Sequence, residues 1–176
     1  ACKKKRKLLD AGIPDFNLSI NISNRQLGQP NLISLLKETI SANRLNPSYL
    51  ELEISESSAF QNVELTLRTL DSLKALGIRL AIDDFGKGYS SLNYLATFPL
   101  DKLKIDLSFA QRIPYSQNDM GIVKGIITIA KSLGISVIVE GVENKQQLDF
   151  FIDNGCNLVQ GFFYSPAIPG DEFAKI

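Results

Sequence analysis

The sequence of 176 residues contains no histidine and no tryptophan, and its only cysteines are Cys2 and Cys156. The absence of histidine excludes, within this chain, hydrolytic triads with a histidine base, histidine zinc sites and histidine phosphotransfer. The two cysteines give neither a disulfide framework nor a metal-binding spacing, so we expect reduced thiols. Acid–base or metal chemistry must then use carboxylates, amides, lysine or water, and such donors suit Mg²⁺ or Mn²⁺.

The chain also lacks net charge and long apolar runs. Lys+Arg and Asp+Glu both number 19, so nothing global points to a polymeric nucleic acid or a membrane surface. No stretch approaches the ~18 apolar residues that a spanning helix needs. We therefore expect one cytoplasmic domain, whose parent protein could still be anchored in a membrane. The basic run Lys3–Lys7 is interpreted as the solvated face of a helix that ends near Gly12.

What the chain does contain is a series of short apolar runs, each carrying or followed by a polar residue suited to metal or phosphate chemistry. The runs are Phe16–Ile22 with Asn21, Leu50–Ile54 with Glu53, Ile78–Ile82 before Asp83 and Asp84, Leu100–Ile105 with Lys104, Ile135–Val139 before Glu140, and Leu158–Val159 before Gln160. Segments with the helical period separate most of them. This order predicts an α/β fold with a parallel sheet, and reactive groups at strand ends predict a TIM-like (β/α) barrel.

The predicted helices are read from apolar residues that recur every three or four positions. They cover Asn31–Ala42, Asn62–Leu76, Asp119–Leu133 and Asn144–Asp153, and glycines close the last three. The predicted strands do not close a barrel of eight. Because the chain opens inside a helical pattern, we expect a barrel that is incomplete at the N-terminus, with about six of eight strands present.

The adjacent acids Asp83 and Asp84 are the sharpest local signal for chemistry. Two carboxylates at a strand end can bind two cations that clamp the oxygens of a phosphoryl displacement. The alternative is an ordinary turn, since Asp and Gly are common turn residues. Asn21 and Glu53 favour the metal site, because parallel strand order would bring both donors beside Asp83.

Four further residues are candidates for the same site. Lys104 would stabilise charge on the phosphate or orient the attacking water, unless it only extends towards solvent from a strand end. Glu140 could hold a metal or receive a proton. Glu143 could support the site or act as an acid at a helix N-terminus. Gln160 offers an amide beside Gly161, a residue that would let a ligand approach.

A loop follows the acid pair, and it is not a Walker loop because its spacing is wrong. Its glycines indicate mobility, and loops after barrel strands often carry function. Glu56 would either hydrogen-bond this loop or cap the next helix. The loop residues are Phe85, Gly86, Lys87, Gly88, Tyr89 and Ser90.

In order, these motifs resemble the EAL domain, a family of bacterial cyclic di-GMP phosphodiesterases. The resemblance covers the whole chain, residues 1–176, as the C-terminal three-quarters of such a domain. The family's Glu-Ala-Leu motif is absent, and Lys87 stands where threonine is usual. The matching runs are Asn17–Ser23, Leu50–Glu56, Ala81–Gly86, Leu103–Asp106, Val139–Glu143 and Val159–Gly161.

The resemblance implies two Mg²⁺ or Mn²⁺ ions, inhibition by Ca²⁺, and hydrolysis of cyclic di-GMP to linear pGpG. By similarity, Asn21, Glu53 and Asp83 bind the first metal, Asp83 bridges, and Asp84 serves the second. Lys104 would contact the hydrolytic water or the phosphate. Glu140 would act at the second metal or as a base, with support from Gln160. Glu56 would brace the loop 84–91, which in this family joins dimerisation to metal binding.

The resemblance also implies a homodimer through the loop region and fused sensor or GGDEF domains. Two alternatives stay open. An inactive EAL domain would act as a cyclic di-GMP receptor or interaction module, and the missing motif favours this only if the natural protein starts near Ala1. An enolase-like barrel would use Lys104 as a base. We expect the 176-residue chain by itself to hydrolyse poorly, because one ligand would be missing.

Overall fold

The computed structural model describes residues 1–88, 92–170 and 172–173, with the backbone only for 92 and 93. The loop positions Tyr89, Ser90 and Ser91 therefore lie outside the described residues. The strands are β1 Leu18–Ile22, β2 Leu50–Ser55, β3 Arg79–Phe85, β4 Lys102–Ile105, β5 Ser136–Val139 and β6 Leu158–Val159. The helices are α1 Cys2–Asp10, α2 Asn24–Leu27, α3 Leu32–Ala42, α4 Glu56–Gln61, α5 Val63–Ala75, α6 Leu92–Leu95, α7 Leu107–Arg112, α8 Gln117–Ser132 and α9 Lys145–Asp153, and a 3₁₀ turn spans Pro47–Tyr49.

The strands form a single parallel sheet in the order β1-β2-β3-β4-β5-β6. Each strand pairs with the next one along the chain, with helical segments in between. The predicted α/β class and parallel order are confirmed. No pairing within the described residues joins β6 to β1, so the sheet is open. None of the helices described is long and apolar enough to cross a membrane.

Local chemistry sets the ends of the longer helices. The Asn62 side chain accepts the backbone N–H of Leu65 at the start of α5. Asn144 and Gln147 form a reciprocal capping box at the start of α9. The glycines predicted to end α5, α8 and α9 all have positive φ angles, which residues with a β-carbon adopt at a cost. They are Gly77 at 82°, Gly134 at 72° and Gly155 at 76°.

The core lies between the helices and one face of the sheet. Leu52 and Ile54 on β2 and Leu103 and Ile105 on β4 are almost completely buried on this face. The opposite face of the same strands is buried as well, but it is charged, whereas the sequence predicted apolar strands. Side chains alternate between the two faces of a strand, so every second side chain of β2 and β4 lies on this charged face.

The basic run at the N-terminus is only partly the solvated surface that the sequence predicted. Lys5 on α1 is buried, and its Nζ lies 2.6 Å from Asp15 Oδ1. The same ammonium donates to the Phe16 carbonyl and lies 4.4 Å from the centre of the Phe16 ring. A buried lysine is tolerated where a carboxylate and hydrogen bonds replace water. The segment that leads into β1 supplies both.

Candidate metal centre

Three carboxylates meet at the carboxyl ends of β3 and β5. They belong to Asp83, Asp84 and Glu140, and each contributes one oxygen to a group whose members lie within 4.8 Å of one another. All three side chains are partly exposed, so an ion from solvent can reach them. The donors are all oxygens, which are the ligands that Mg²⁺ and Mn²⁺ prefer. The residues therefore fit a divalent cation of this kind.

Two neighbouring residues of a regular strand would point to opposite faces of the sheet. The pairing of β3 with β4 is irregular between Ile82 and Phe85. Asp84 has a φ of 57°, in the left-handed region that aspartate tolerates better than most residues. Its backbone N–H donates to Asp83 Oδ1 at 3.0 Å. This local break in the strand lets both carboxylates join one cluster.

Lys104 on β4 lies at the centre of the charged face. Its Nζ is 3.0 Å from Glu53 Oε2, 3.0 Å from Asp83 Oδ1 and 2.8 Å from Glu140 Oε1. The side chain is only 7% exposed, so it does not extend into solvent. One buried ammonium therefore contacts a carboxylate of β2, one of β3 and one directly after β5.

The charges of this cluster shift two pKa values. Burial acts to lower the pKa of Lys104, but the hydrogen bonds that its ammonium donates to Glu140, Glu53 and Asp83 outweigh it and raise that pKa. Burial raises the pKa of Glu140, and the Lys104 ammonium opposes the rise. These contacts favour the charged form of Lys104 at neutral pH, which suits an ammonium that opposes phosphate charge better than a neutral base.

The first metal site implied by the resemblance is only partly visible in these contacts. Asn21 on β1 pairs in register with Glu53 on β2, which puts the two side chains on neighbouring strands. Asn21 is exposed, while Glu53 is buried against Lys104. Asp83 lies with Asp84 and Glu140 in the carboxylate cluster, and it contacts the same Lys104 ammonium as Glu53. The assignment of individual ligands stays a prediction.

A cleft of about 370 Å³ adjoins the carboxylate cluster. Glu140, Glu143 and Gln160 are among its lining residues. The predicted approach of a ligand at Gly161 stays a prediction. Gly161 lines the cleft, and a β-carbon there would lie 2.1 Å from the carbonyl oxygen of Val142. The glycine is needed where two chain segments touch.

Glu56 braces the loop that follows β3. Its Oε2 accepts the backbone N–H of Gly86 at 2.9 Å and of Gly88 at 3.2 Å. The predicted hydrogen bonds to the loop are therefore present. The side-chain cap of α4 is Ser55, not Glu56. Phe85 is buried at the end of β3 and anchors the start of the loop.

Gly86 is the position of this loop where a substitution should cost most. Its φ is 99°, and a β-carbon would lie 2.4 Å from the Phe109 ring. We expect Gly86→Ala to lower the free energy of unfolding by about 2–4 kcal/mol, because backbone strain and a clash add. Urea unfolding measures this. Gly125→Ala in α8 is the matched control, since its β-carbon meets nothing within 4 Å, and we expect it to stabilise by about 0.5–1 kcal/mol. Equal effects of the two changes would contradict the geometry.

A second ion pair lies on the same face, two residues before Lys104 on β4 and two before Glu53 on β2. It was not predicted from the sequence. Lys102 Nζ is 2.8 Å from Glu51 Oε2, and Ser19 Oγ donates to Glu51 Oε1 at 2.9 Å. Both lysine–glutamate pairs have the same separation of 51 residues. The signal was the charge alternation in β2 and β4, where each second residue is charged and the residues between are apolar.

Comparison with known proteins identifies this arrangement. The family model of the EAL domain matches residues 1–167. The chain belongs to the EAL domain family. A curated relative is the cyclic di-GMP phosphodiesterase NbdA of Pseudomonas aeruginosa, 42% identical over 169 residues that make up 96% of this chain. The chain spans 22% of NbdA, so it corresponds to a minor part of that protein.

Solved EAL structures share the fold. The phosphodiesterase MucR of Pseudomonas aeruginosa in complex with c-di-GMP superposes with a TM-score of 0.92 at 36% identity, covering 98% of this chain and 70% of that one. The manganese and cyclic di-GMP complex of Klebsiella pneumoniae BlrP1 gives a TM-score of 0.84 at 30% identity, covering 92% and 41%. EAL domains are TIM-barrel-like, so the sheet described here is a barrel-type sheet that is open between β6 and β1.

Proposed function

We propose that this EAL domain hydrolyses cyclic di-GMP to linear pGpG with two Mg²⁺ or Mn²⁺ ions. The observation that carries the proposal is the meeting of Glu53, Asp83 and Glu140 on the Lys104 ammonium, next to the Asp83–Asp84–Glu140 cluster. The names of NbdA and MucR, and the ligands in the MucR and BlrP1 structures, support the same substrate and metal class.

The proposed ligand assignment uses all the oxygen donors at this edge of the sheet. Asn21, Glu53 and Asp83 would hold the first ion. Asp83 would be shared with the second ion, which Asp84 would hold, and Glu140 would act either at that ion or as a base. Bound divalent ions supply neutralisation of phosphate charge and lower the pKa of water. We expect Ca²⁺ to inhibit, because it favours longer bonds and more ligands than an octahedral Mg²⁺ site offers.

Hydrolysis forms one bond from a water oxygen to phosphorus and breaks one bond from phosphorus to a ribose 3′-oxygen. A proton must leave the water, and a proton must reach the departing oxygen. Glu140 is placed to receive the first of these, because burial raises its pKa and it lies on the open cleft. Lys104, which stays charged, would hold Glu140 in place and oppose the negative charge that develops on the phosphate.

The cleft beside the cluster is proposed to receive part of the dinucleotide. Gln160 and Glu143 lie on its wall, and Gln160 is held by its backbone N–H, which donates to the Val139 carbonyl at 2.7 Å. We further infer a cytoplasmic location, fused sensor or GGDEF domains, and a homodimer through the loop after β3. MucR, whose curated name includes a diguanylate cyclase activity, supports the fused domain.

Product analysis tests the proposed function. The chain and the full-length product of its gene are incubated with cyclic di-GMP and Mn²⁺, and chromatography with mass spectrometry follows the nucleotides. The proposal predicts pGpG that forms with Mn²⁺ or Mg²⁺ and not with Ca²⁺. Saturable binding of cyclic di-GMP by the full-length protein without any product would contradict it and indicate a receptor.

A further inference from the structure

The ammonium group of Lys87 lies between two carboxylates at the edge of the metal centre. Its Nζ is 2.7 Å from Asp84 Oδ1 and 2.9 Å from Asp106 Oδ2. Asp106 is completely buried, and its other oxygen accepts the backbone N–H of Ser108 at 3.0 Å. Lys87 itself is 53% exposed. It is thus a surface lysine whose ammonium group contacts a buried carboxylate.

Asp84 is in contact with two kinds of partner at once. It contributes an oxygen to the cluster in which three carboxylate oxygens lie within 4.8 Å of one another. Its Oδ1 also accepts a charged hydrogen bond from Lys87. A divalent ion that binds to Asp84 must therefore share this carboxylate with an ammonium of like charge or displace it.

We propose that Lys87 competes with the divalent ion for Asp84 and so lowers the affinity of the metal centre. The inference rests on the proposed function and concerns regulation of that same site. When an ion binds, Lys87 gives up its contact with Asp84. It keeps its contact with Asp106, so the loop does not lose its anchor.

Two features of the loop make Lys87 suited to this role. The flanking Gly86 and Gly88 are fixed through their backbone N–H groups to Glu56, so release from Asp84 needs only a side-chain rotation. The exposed ion pair with Asp84 is also weak enough to be exchanged, because water screens it. Lys104 differs, since it is buried among three carboxylates and cannot move aside.

A Mn²⁺ titration of the 176-residue chain by isothermal calorimetry, with free Mn²⁺ counted by electron paramagnetic resonance, tests the inference. We expect Lys87→Met to bind Mn²⁺ about three- to tenfold more tightly than the wild type, because one repelling charge is gone. Lys87→Arg keeps the charge and should stay within about twofold of the wild type. Equal or weaker binding by Lys87→Met would overturn the inference.

Removal of Lys87 leaves Asp106 without its cation, and this could unfold the variant. The double variant Lys87→Met/Asp106→Asn removes both charges and is measured alongside, with circular dichroism to verify the fold. It should show the same gain in affinity, and wild-type affinity in the double variant would also overturn the inference. The variant Asp83→Asn distinguishes failure of the metal centre from failure of the role of Lys87. If Asp83→Asn binds Mn²⁺ as tightly as the wild type, the metal centre is overturned, and the inference with it. If Asp83→Asn abolishes Mn²⁺ binding but Lys87→Met does not change it, only the role of Lys87 is overturned.

Discussion

Asp83→Asn is expected to lower Mn²⁺-dependent hydrolysis of cyclic di-GMP by at least ~100-fold. Asp83 belongs to the cluster with Asp84 and Glu140, and it also contacts Lys104 at 3.0 Å. An amide has nearly the same shape as the carboxylate but no charge, so the change removes attraction for the ions and leaves the packing intact. Initial rates of pGpG formation by the full-length protein measure the effect.

Asp71→Asn is the matched control, because Asp71 is an exposed aspartate on α5. We expect its rate to stay within about twofold of the wild type, as is usual for surface changes away from a site. Wild-type turnover by Asp83→Asn would refute the placement of the metal centre. A comparable loss in both variants would show that the assay reports general stability rather than the site.

Lys104→Met should separate catalysis from metal binding. The turnover number is expected to fall by at least ~100-fold, because a buried cation beside the phosphate is lost. Mn²⁺ affinity should be unchanged or higher, since the carboxylates of Glu53, Asp83 and Glu140 then have no competing ammonium. Steady-state kinetics and a Mn²⁺ titration on the same preparation provide the two values.

The same substitution has a signature in stability. Without metal, the three carboxylates lose their common partner, and we expect a loss of about 3–5 kcal/mol in the free energy of unfolding. Saturating Mn²⁺ should therefore raise the melting temperature of Lys104→Met more than that of the wild type. Lys145→Met removes an exposed lysine that pairs with Asp149, and it should change neither the free energy of unfolding nor the rise in melting temperature with Mn²⁺.

A parallel loss of Mn²⁺ affinity and turnover number in Lys104→Met would contradict the proposed separation of catalysis from metal binding.

The order of strands and long helices could be predicted because burial and helix termination leave local marks in the sequence. The apolar period predicted a helix over 62–76, and the structure has α5 at Val63–Ala75. Short helices such as α2 and α7 were not predicted. They span 4 and 6 residues, too few for a helical period to stand out.

The approach of Glu53, Asp83 and Glu140 to one edge of the sheet was predictable, since parallel strands end at a common edge. How they approach was not predictable. The irregular pairing near Asp84 and its positive φ bring neighbouring side chains together, and a regular strand would separate them. Lys104 was predicted to belong to the site, but the number of carboxylates around it depends on contacts between strands that are distant in the sequence.

The interpretation of Lys5 as solvated is wrong, and the close approach of Gly161 to Val142 was not foreseen. In both cases the deciding neighbour comes from elsewhere in the chain, namely Asp15 with Phe16 for the lysine and the Val142 carbonyl for the glycine. Local composition reports helix propensity and turn preference, whereas these contacts arise only once the chain has folded.

Anomalous diffraction at the manganese edge, from crystals of the protein grown with Mn²⁺, is the decisive test of the proposed metal centre. We expect an anomalous peak within about 2.0–2.4 Å of an Asp83 oxygen, with Asp84 or Glu140 as a further ligand. A well-ordered crystal grown with Mn²⁺ that shows no peak among Asp83, Asp84 and Glu140 would contradict the metal centre.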